Sequence, residues 1–234
     1  MRIVAGADGC RAGWVLVIQD LDTSRISWRL CADATALIAA VPAPGFLAID
    51  IPIGLPESGS RAADRLARRV LGGRRGSSVF PAPLRPMLVA TNYREACDIR
   101  AAREGKRMSI QAWGILAKIR DVDHVLAADP GLQERIHEVH PEVCFRFMGE
   151  QRSPQFSKKT AAGRGERLAL LEPLFGPAPV AALAEKSLLA GQPDDILDAF
   201  AALWTARRIA SGTARCLPAH PELDSAGLRM EIVY

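Results

Sequence analysis

The amino-acid sequence predicts an α/β fold: a mixed sheet, with three antiparallel strands and then parallel strands, flanked by helices and carrying a helical insertion. Three short apolar runs follow one another within the first 30 residues, as in an antiparallel meander. Residues 45–51 form a nearly continuous apolar run, which is typical of a parallel strand buried on both faces. Helical spacing of apolar residues dominates the rest of the chain.

The first part of the chain alternates strand patterns with turn residues. Asp8-Gly9 ends the first run with a turn dipeptide, and Asp33 precedes a short helical pattern as a candidate N-cap. The predicted elements, in order, are strands over 2–7, 14–18 and 26–30, a helix over 34–41 and a strand over 45–51.

The later part of the chain is predicted to be mainly helical. Ser109 precedes apolar residues that recur every three or four positions, and Pro141 suits the first position of a helix. Gly212 is a candidate helix stop. Helices are predicted to cover 61–71 and 110–122, to begin at 141, to run through 168–171, and to extend from 194 or 195 to about 211. A loop is predicted over 74–83, and strands are predicted over 135–139 and 229–234.

Length and composition indicate one globular domain, 1–234, with a largely helical insertion over 57–130. Hydrophobic residues make up 49% and charged residues 24% of the 234, which excludes a disordered chain. No apolar run approaches 18 residues, and Asp8 comes too early for a signal-peptide core, so we expect a cytoplasmic protein without a membrane partner. Five scattered cysteines without a C-x-x-C pair argue against disulfide scaffolds and zinc ribbons.

Two aspartates lie at the ends of predicted strands. Asp50 ends a run that is too apolar for an edge strand, where an ionised carboxylate needs a partner or a metal. Turn or cap formation before Pro52 is the alternative, and Asp8-Gly9 is likewise open to a turn interpretation. If strands one and four are neighbours, Asp8 and Asp50 come together, and a divalent cation would relieve their repulsion.

A third acidic group opens the last helix. Asp195 and Asp198 are three residues apart, so they share one helix face. Capping and the helix dipole fully explain Asp194 and can explain Asp195, but they explain Asp198 poorly, because it lies in the second turn. His140 is a candidate metal ligand or proton shuttle, with a structural role at the start of the helix at Pro141 as the equal alternative.

Basic residues gather in several predicted loops and helix ends. Each group alone suits a solvated surface, whereas several groups around an acidic centre would suit a phosphate backbone. The net charge of +4 permits a nucleic-acid partner without requiring one. The candidate substrate-binding residues are Arg74, Arg75, Lys118, Arg120, Lys158 and Lys159.

Eight segments resemble one family over nearly the whole chain, the predicted ribonuclease-H-like nucleases catalogued as domain of unknown function 429. Ala7, Arg11 and Ala12 depart from that family's usual residues around the first turn. The Asp195/Asp198 spacing also resembles the Holliday-junction resolvase branch of the superfamily. The matching segments are residues 6–14, 48–56, 77–83, 118–120 with 123, 138–142, 157–160, 194–199 and 227–231.

The resemblance implies a ribonuclease-H-like fold and a metal-dependent nuclease. Its motif positions correspond to Asp8, Asp50, Asp195 and Asp198, which would hold two Mg²⁺ or Mn²⁺ ions about 3.5–4 Å apart. His140 or Glu142 would relay protons or orient a ligand. Nucleic acid is the expected partner, and cleavage of a junction would favour a homodimer.

Two other interpretations remain open from the sequence. A non-catalytic module that binds nucleic acid or protein would use the same basic loops without needing the four aspartates. A phosphotransferase related to actin and hexokinase would share the central sheet. It would also need nucleotide-phosphate loops, and the sequence has no P-loop motif.

Overall fold

The computed structural model describes residues 2–40, 45–73 and 75–234. Its strands and their bounds are β1 (Ile3–Cys10), β2 (Gly13–Asp20), β3 (Ile26–Cys31), β4 (Phe46–Asp50), β5 (Ile136–Glu138), β6 (Cys216–Leu217) and β7 (Ile232–Val233). The first five strands form one sheet in the order β3-β2-β1-β4-β5, and the last two form a separate pair. Strands β1, β2 and β3 are antiparallel neighbours, whereas β4 lies parallel to β1 and β5 parallel to β4. The predicted α/β fold with a mixed sheet is therefore confirmed.

Most of the remaining regular structure is helical. Their bounds are α1 (Ala34–Ala39), α2 (Ala62–Leu71), α3 (Tyr93–Glu104), α4 (Ile110–Ala128), α5 (Pro141–Met148), α6 (Ala161–Phe175), α7 (Ala178–Ala184), α8 (Lys186–Leu189) and α9 (Pro193–Ala210). No helix in the described ranges is both long enough and apolar enough to cross a membrane.

Side-chain caps explain where several helices begin. The Asp33 carboxylate accepts a hydrogen bond from the Ala36 amide at 2.8 Å, and the Ser109 hydroxyl accepts one from the Ala112 amide at 3.2 Å. Each satisfies an amide that the first helical turn leaves without an internal acceptor. Both caps were predicted from the sequence. The predicted end of the first helix at residue 41 lies outside the described residues.

Some predicted elements differ from the structure. The strand expected over 229–234 contains regular pairing only in β7, and the loop expected over 74–83 includes a 3₁₀ turn, Arg75–Ser78. Helix α3 was not predicted. Only Ala96 and Cys97 are buried along it, so its sequence lacks the apolar stripe on which a helix prediction depends.

The chain divides into two compact units. Unit 1 comprises Met1–Ile51, Glu134–Arg215 and Val233–Tyr234, and unit 2 comprises Pro52–Gln133 and Cys216–Ile232. The single domain with an insertion over 57–130 stays a prediction.

The core of unit 1 lies between the sheet and α9, which packs against β1, β2 and β4. The contact between β1 and α9 is unusually close at Gly6. A Cβ added there would lie 2.0 Å from the Leu203 amide nitrogen and 2.4 Å from the Ala199 carbonyl oxygen. Gly6 therefore allows α9 to lie directly on the central strand.

Unit 2 combines a small apolar cluster with buried ion pairs. Leu84, Met87 and Leu116 are among the buried residues of its core. The guanidinium of Arg85 pairs with Asp123 at 2.7 Å and also with Asp224, whose side chain is fully buried. These contacts join segments that are far apart in the sequence.

Candidate metal centre

Strand register brings Asp8 and Asp50 together. The two residues are direct partners in the parallel pairing of β1 with β4. Because paired residues of neighbouring strands point to the same face of a sheet, their carboxylates lie side by side at the carboxyl ends of both strands. The sequence predicted that Asp8 and Asp50 would come together if the first and fourth strands were neighbours, and in the structure they are neighbours.

Asp198 completes a cluster of three carboxylates. It lies in the second turn of α9, the helix that packs closely against β1 at Gly6. One oxygen from each of Asp8, Asp50 and Asp198 can be chosen so that all three lie within 4.8 Å of one another. Asp198 is only 1% exposed and Asp8 7%. Three carboxylates at this spacing, with Asp8 and Asp198 buried and Asp50 half-buried, repel one another strongly unless they are protonated or neutralised by a cation.

The hydrogen bonds of Asp198 leave part of its carboxylate open. Its Oδ2 accepts a hydrogen bond from the Lys158 ammonium at 2.6 Å, while its buried Oδ1 has no hydrogen-bond partner among the described residues. A buried carboxylate oxygen without a donor is costly. Hard divalent cations prefer such oxygen ligands, so this donor set fits Mg²⁺ or Mn²⁺.

The pKa values of all three aspartates are raised. Burial raises the pKa of Asp8 well above its ordinary value, and the charges of Asp50 and Asp198 raise it further. Burial also raises the pKa of Asp50 to about 6 and that of Asp198 to about 6, although Lys158 acts in the opposite direction on both. Strongly perturbed groups of this kind concentrate at functional sites.

Lys158 lies at the acidic centre. Its ammonium is 3.8 Å from a carboxylate oxygen of Asp194 in addition to its bond with Asp198. Burial alone would lower the pKa of Lys158, but the charges of Asp198 and Asp8 outweigh burial, so its pKa is raised. The ammonium therefore stays charged and neutralises part of the cluster.

Asp195 lies next to the cluster but has a structural partner. Its Oδ2 accepts a hydrogen bond from the Gln192 amide at 2.8 Å, and thereby stabilises the first turn of α9. Burial raises the pKa of Asp195, against the effect of that hydrogen bond. Helix capping thus accounts for this residue, as the sequence allowed, and Asp195 is not among the three whose oxygens converge.

A family model described as "Protein of unknown function (DUF429)" matches residues 6–223. The chain belongs to this family. The match spans most of the 234 residues, and it includes all four aspartates. No curated protein and no solved structure gives a significant match to the chain. DUF429 membership confirms the predicted family, and it assigns no activity.

In this DUF429 protein, Glu142 and His140 lie at the start of α5. His140 occupies the N-cap position, but its side chain makes no capping hydrogen bond. Glu142 is buried and forms an ion pair with Arg167, which is fully buried on α6. The Glu142 charge also contributes to the raised pKa values of Asp50 and Asp198, after burial. Glu142 thus acts electrostatically on the cluster, and its catalytic role stays a prediction.

The remaining candidate basic residues of the DUF429 chain are dispersed. Arg120 donates hydrogen bonds to the carbonyl oxygens of Leu88 and Ala90, at 2.6 and 2.7 Å, so its guanidinium holds the backbone of unit 2. Lys118 and Arg75 are also in unit 2. Lys159 is exposed beside Lys158, and Arg74 lies outside the described residues. Of the described candidates in unit 1, Lys158 is the one with an ion pair to the acidic centre.

Sequence reasoning missed two features that shape this site. Arg167 was not singled out, because a single arginine in a helix of mixed composition gives no indication of burial. Gly6 was not singled out either, although a glycine inside an apolar strand is an indication of close backbone approach. The contact of Lys158 with Asp198 joins positions 40 residues apart, which no local pattern reveals.

Proposed function

We propose that this protein is a metal-dependent phosphodiesterase that acts on nucleic acid. The observation that carries the proposal is the convergence of Asp8, Asp50 and Asp198, with a buried Asp198 oxygen that has no hydrogen-bond partner among the described residues. An acidic cluster alone would be weak support. A buried acceptor without a donor, in the same cluster, is the additional feature that a cation would satisfy.

The roles proposed for the residues follow from their contacts. Asp8, Asp50 and Asp198 would hold a Mg²⁺ or Mn²⁺ ion. A second ion would require Asp195, whose Oδ2 accepts the Gln192 amide, so that its Oδ1 would be the metal ligand. A bound divalent ion would supply an activated water nucleophile and stabilise negative charge on the phosphate. Lys158, once released from Asp198, would contact a phosphate oxygen.

One observation favours a second candidate function, a non-catalytic binding module. The Lys158 ammonium already neutralises part of the acidic cluster, so an ion pair rather than a metal could be what holds β1, β4 and α9 together. Such a module would bind nucleic acid or protein equally well with and without divalent ions. The two candidates therefore differ in a measurable way.

The test is cleavage of a labelled panel in Mg²⁺, Mn²⁺ or EDTA: single-stranded RNA and DNA, hybrid, duplex and four-way junction. We expect cleavage that requires a divalent ion, and at least a hundredfold loss in Asp8→Asn, because one of three ligands becomes a neutral amide. Asp121→Asn, an exposed change on α4, is the matched control and should retain full activity.

Three results would reject the nuclease proposal. The first is cleavage by Asp8→Asn at the wild-type rate, which would point to a contaminant. The second is cleavage that persists in EDTA. The third is binding of the panel without cleavage under any condition, which would favour the binding module. If the four-way junction is cleaved, sedimentation of the protein will test whether it is the homodimer expected of an enzyme that cleaves junctions.

A further inference from the structure

A second candidate site lies at the other end of α9. A cavity of about 370 Å³ in unit 1 is lined by Arg2, which precedes β1, and by Arg207 and Arg208 in the last turn of α9. Ten residues of helix separate Arg208 from Asp198, which corresponds to about 15 Å along the axis. The cavity is therefore separate from the acidic centre.

The charged residues that line this cavity are all positive. Arg2 forms an ion pair with Asp22, but neither Arg207 nor Arg208 forms an ion pair with any carboxylate in the described part of the chain. None of the residues found to line the cavity is acidic. Two guanidinium groups that line one cavity without a carboxylate partner attract an anion to it.

Each of the two arginines donates to one backbone carbonyl, which leaves other donors on its terminal nitrogens, whereas the Arg208 Nε is buried. Arg207 donates to the Leu174 carbonyl at 2.9 Å, and Arg208 donates to the Thr213 carbonyl at 2.6 Å. A guanidinium has five N–H donors, and the buried Nε of Arg208 has no partner among the described residues. The position of both arginines near the carboxyl end of α9 agrees with the helix dipole, but the dipole does not supply these missing acceptors.

Most of the remaining wall is apolar. Leu21, Leu174 and Trp204 line the cavity, and the Arg208 guanidinium lies over the Trp204 ring at 4.7 Å from its centroid. Burial lowers the pKa of Arg208, and the charge of Arg215 lowers it further, which is the effect expected of a cation that lacks an anionic partner. A ligand that combined an anion with a flat or apolar body would match both walls.

We propose that this cavity binds a small organic phosphate of about the size of a nucleoside monophosphate. The phosphate would accept hydrogen bonds from Arg207 and Arg208, and the apolar body would lie against Trp204 and the two leucines. The cavity volume falls within the range of small-ligand sites. Nothing in this proposal depends on the nuclease activity, since all these residues lie away from the three aspartates.

Calorimetry with AMP as the probe, on the full chain and in EDTA, tests the proposal. EDTA removes any route through a metal at the acidic centre. We expect AMP to bind with a dissociation constant below 1 mM, on the order expected for a small charged ligand. Adenosine and inorganic phosphate should each bind at least tenfold more weakly, because each lacks one half of the recognised group.

The variant Arg207→Gln/Arg208→Gln should bind AMP at least tenfold more weakly, whereas Arg152→Gln, an exposed arginine of the same unit, should bind like the wild type. Both guanidinium groups lie over aromatic rings, so the double variant could lose stability. Ser211→Asp avoids this difficulty, because Ser211 is exposed and lines the cavity, and its carboxylate would repel the phosphate.

Ser211→Ala is the matched control for Ser211→Asp and should retain binding. The proposal would be overturned by an AMP titration without binding at millimolar concentration. It would also be overturned if Ser211→Asp bound AMP as tightly as Ser211→Ala did. Equal binding of adenosine and AMP would show that the arginines do not recognise the phosphate, which rejects the site as described.

Discussion

At the scale of single residues, Lys158 and a divalent ion would compete for the carboxylate of Asp198. Its ammonium is bonded to Asp198 at 2.6 Å and is held protonated by the surrounding carboxylates. A metal at the same carboxylates would have to displace this ammonium or share Asp198 with it. Lys158 is therefore expected to weaken metal binding while it stabilises the metal-free protein.

Replacing Lys158 with methionine separates these two effects. In Lys158→Met we expect the free energy of unfolding without metal to fall by about 1–3 kcal/mol at pH 7. That is less than for a fully buried pair, because the side chain is 36% exposed. Affinity for Mn²⁺ should rise about tenfold, since no ammonium competes. Urea unfolding and calorimetry measure the two quantities.

The exposed neighbour Lys159 provides the control for this prediction. It has the same charge and lies in the same loop, so Lys159→Met should change neither quantity by a measurable amount. If Lys158→Met instead bound Mn²⁺ more weakly than the wild type, the ammonium would not be a competitor of the metal.

The raised pKa values of the three aspartates predict how stability depends on pH. The folded pKa values of Asp50 and Asp198, about 6, lie above the ordinary value of 3.8, and the pKa of Asp8 is raised as well. The folded state therefore binds more protons than the unfolded state between about pH 4 and 6. These groups contribute most stability at the acid end of this interval, and the contribution is lost as pH rises through 6.

Urea midpoints measured from pH 4.5 to 7.5 in EDTA test this sign. The contribution of the cluster to stability should decrease with rising pH, and Asp8→Asn should flatten the decrease, because it removes one of the repelling charges. Mg²⁺ should add stability increasingly above pH 6, where the carboxylates are ionised and able to bind it. A cluster contribution that grew with pH in EDTA would contradict the assignment of burial as the dominant cause.

At the scale of secondary-structure elements, the close contact of β1 with α9 determines where Asp198 lies. Gly6→Ala would place a Cβ 2.0 Å from the backbone of Leu203, so the helix would have to move away from the strand. We expect a loss of about 2–4 kcal/mol in the free energy of unfolding, together with weaker Mn²⁺ binding, because Asp198 would move with α9. Urea unfolding and calorimetry again provide the measurements.

The control for this change is a glycine with open space around it. Gly114 lies in the interior of α4, and an added Cβ would meet nothing within 4 Å. Gly114→Ala should therefore stabilise the protein by about 0.5–1 kcal/mol through helix propensity alone. A Gly6→Ala protein as stable as the wild type would mean that β1 and α9 are not in tight contact.

Elements with a strong local pattern were predicted well from the sequence. The apolar run that became β4 predicted a central parallel strand. The proximity of Asp50 to Asp8 was predicted on the condition that the first and fourth strands are neighbours, which they are. The caps Asp33 and Ser109 predicted the starts of α1 and α4. In each case a single physical rule acts within a few residues, and it is not overridden by tertiary contacts.

Features that depend on distant contacts could not be predicted in this way. The ion pair of Lys158 with Asp198 is one such feature, because a pair of lysines in a loop gives no indication that one of them contacts Asp198. Helix α3 was missed, because only Ala96 and Cys97 are buried along it and its sequence therefore lacks an apolar stripe. The sequence thus predicts the ligands of the centre better than the charge that balances them.

At the scale of the whole molecule, the residues of the candidate metal centre are confined to one unit. Asp8, Asp50, Lys158 and Asp198 all lie in unit 1, and the ion pairs of Arg85 lie entirely in unit 2. This division predicts that damage to the ion pairs of unit 2 leaves the chemistry of unit 1 unchanged.

The variant Arg85→Met tests this independence, because it leaves the fully buried Asp224 without its cationic partner. We expect unit 2 to lose about 3 kcal/mol or more of stability, as for other buried pairs that lose one member. Hydrogen exchange followed by mass spectrometry should show faster exchange within 52–133 and 216–232, while Mn²⁺ affinity at the three aspartates stays within twofold.

The control is Arg94→Met, which removes an exposed ion pair of the same unit, at 3.9 Å from Asp98, and should change neither the hydrogen exchange nor the Mn²⁺ affinity. Faster exchange throughout 1–51 and 134–215 in Arg85→Met would show that the two units unfold together, and the confinement of the site to unit 1 would then not protect it.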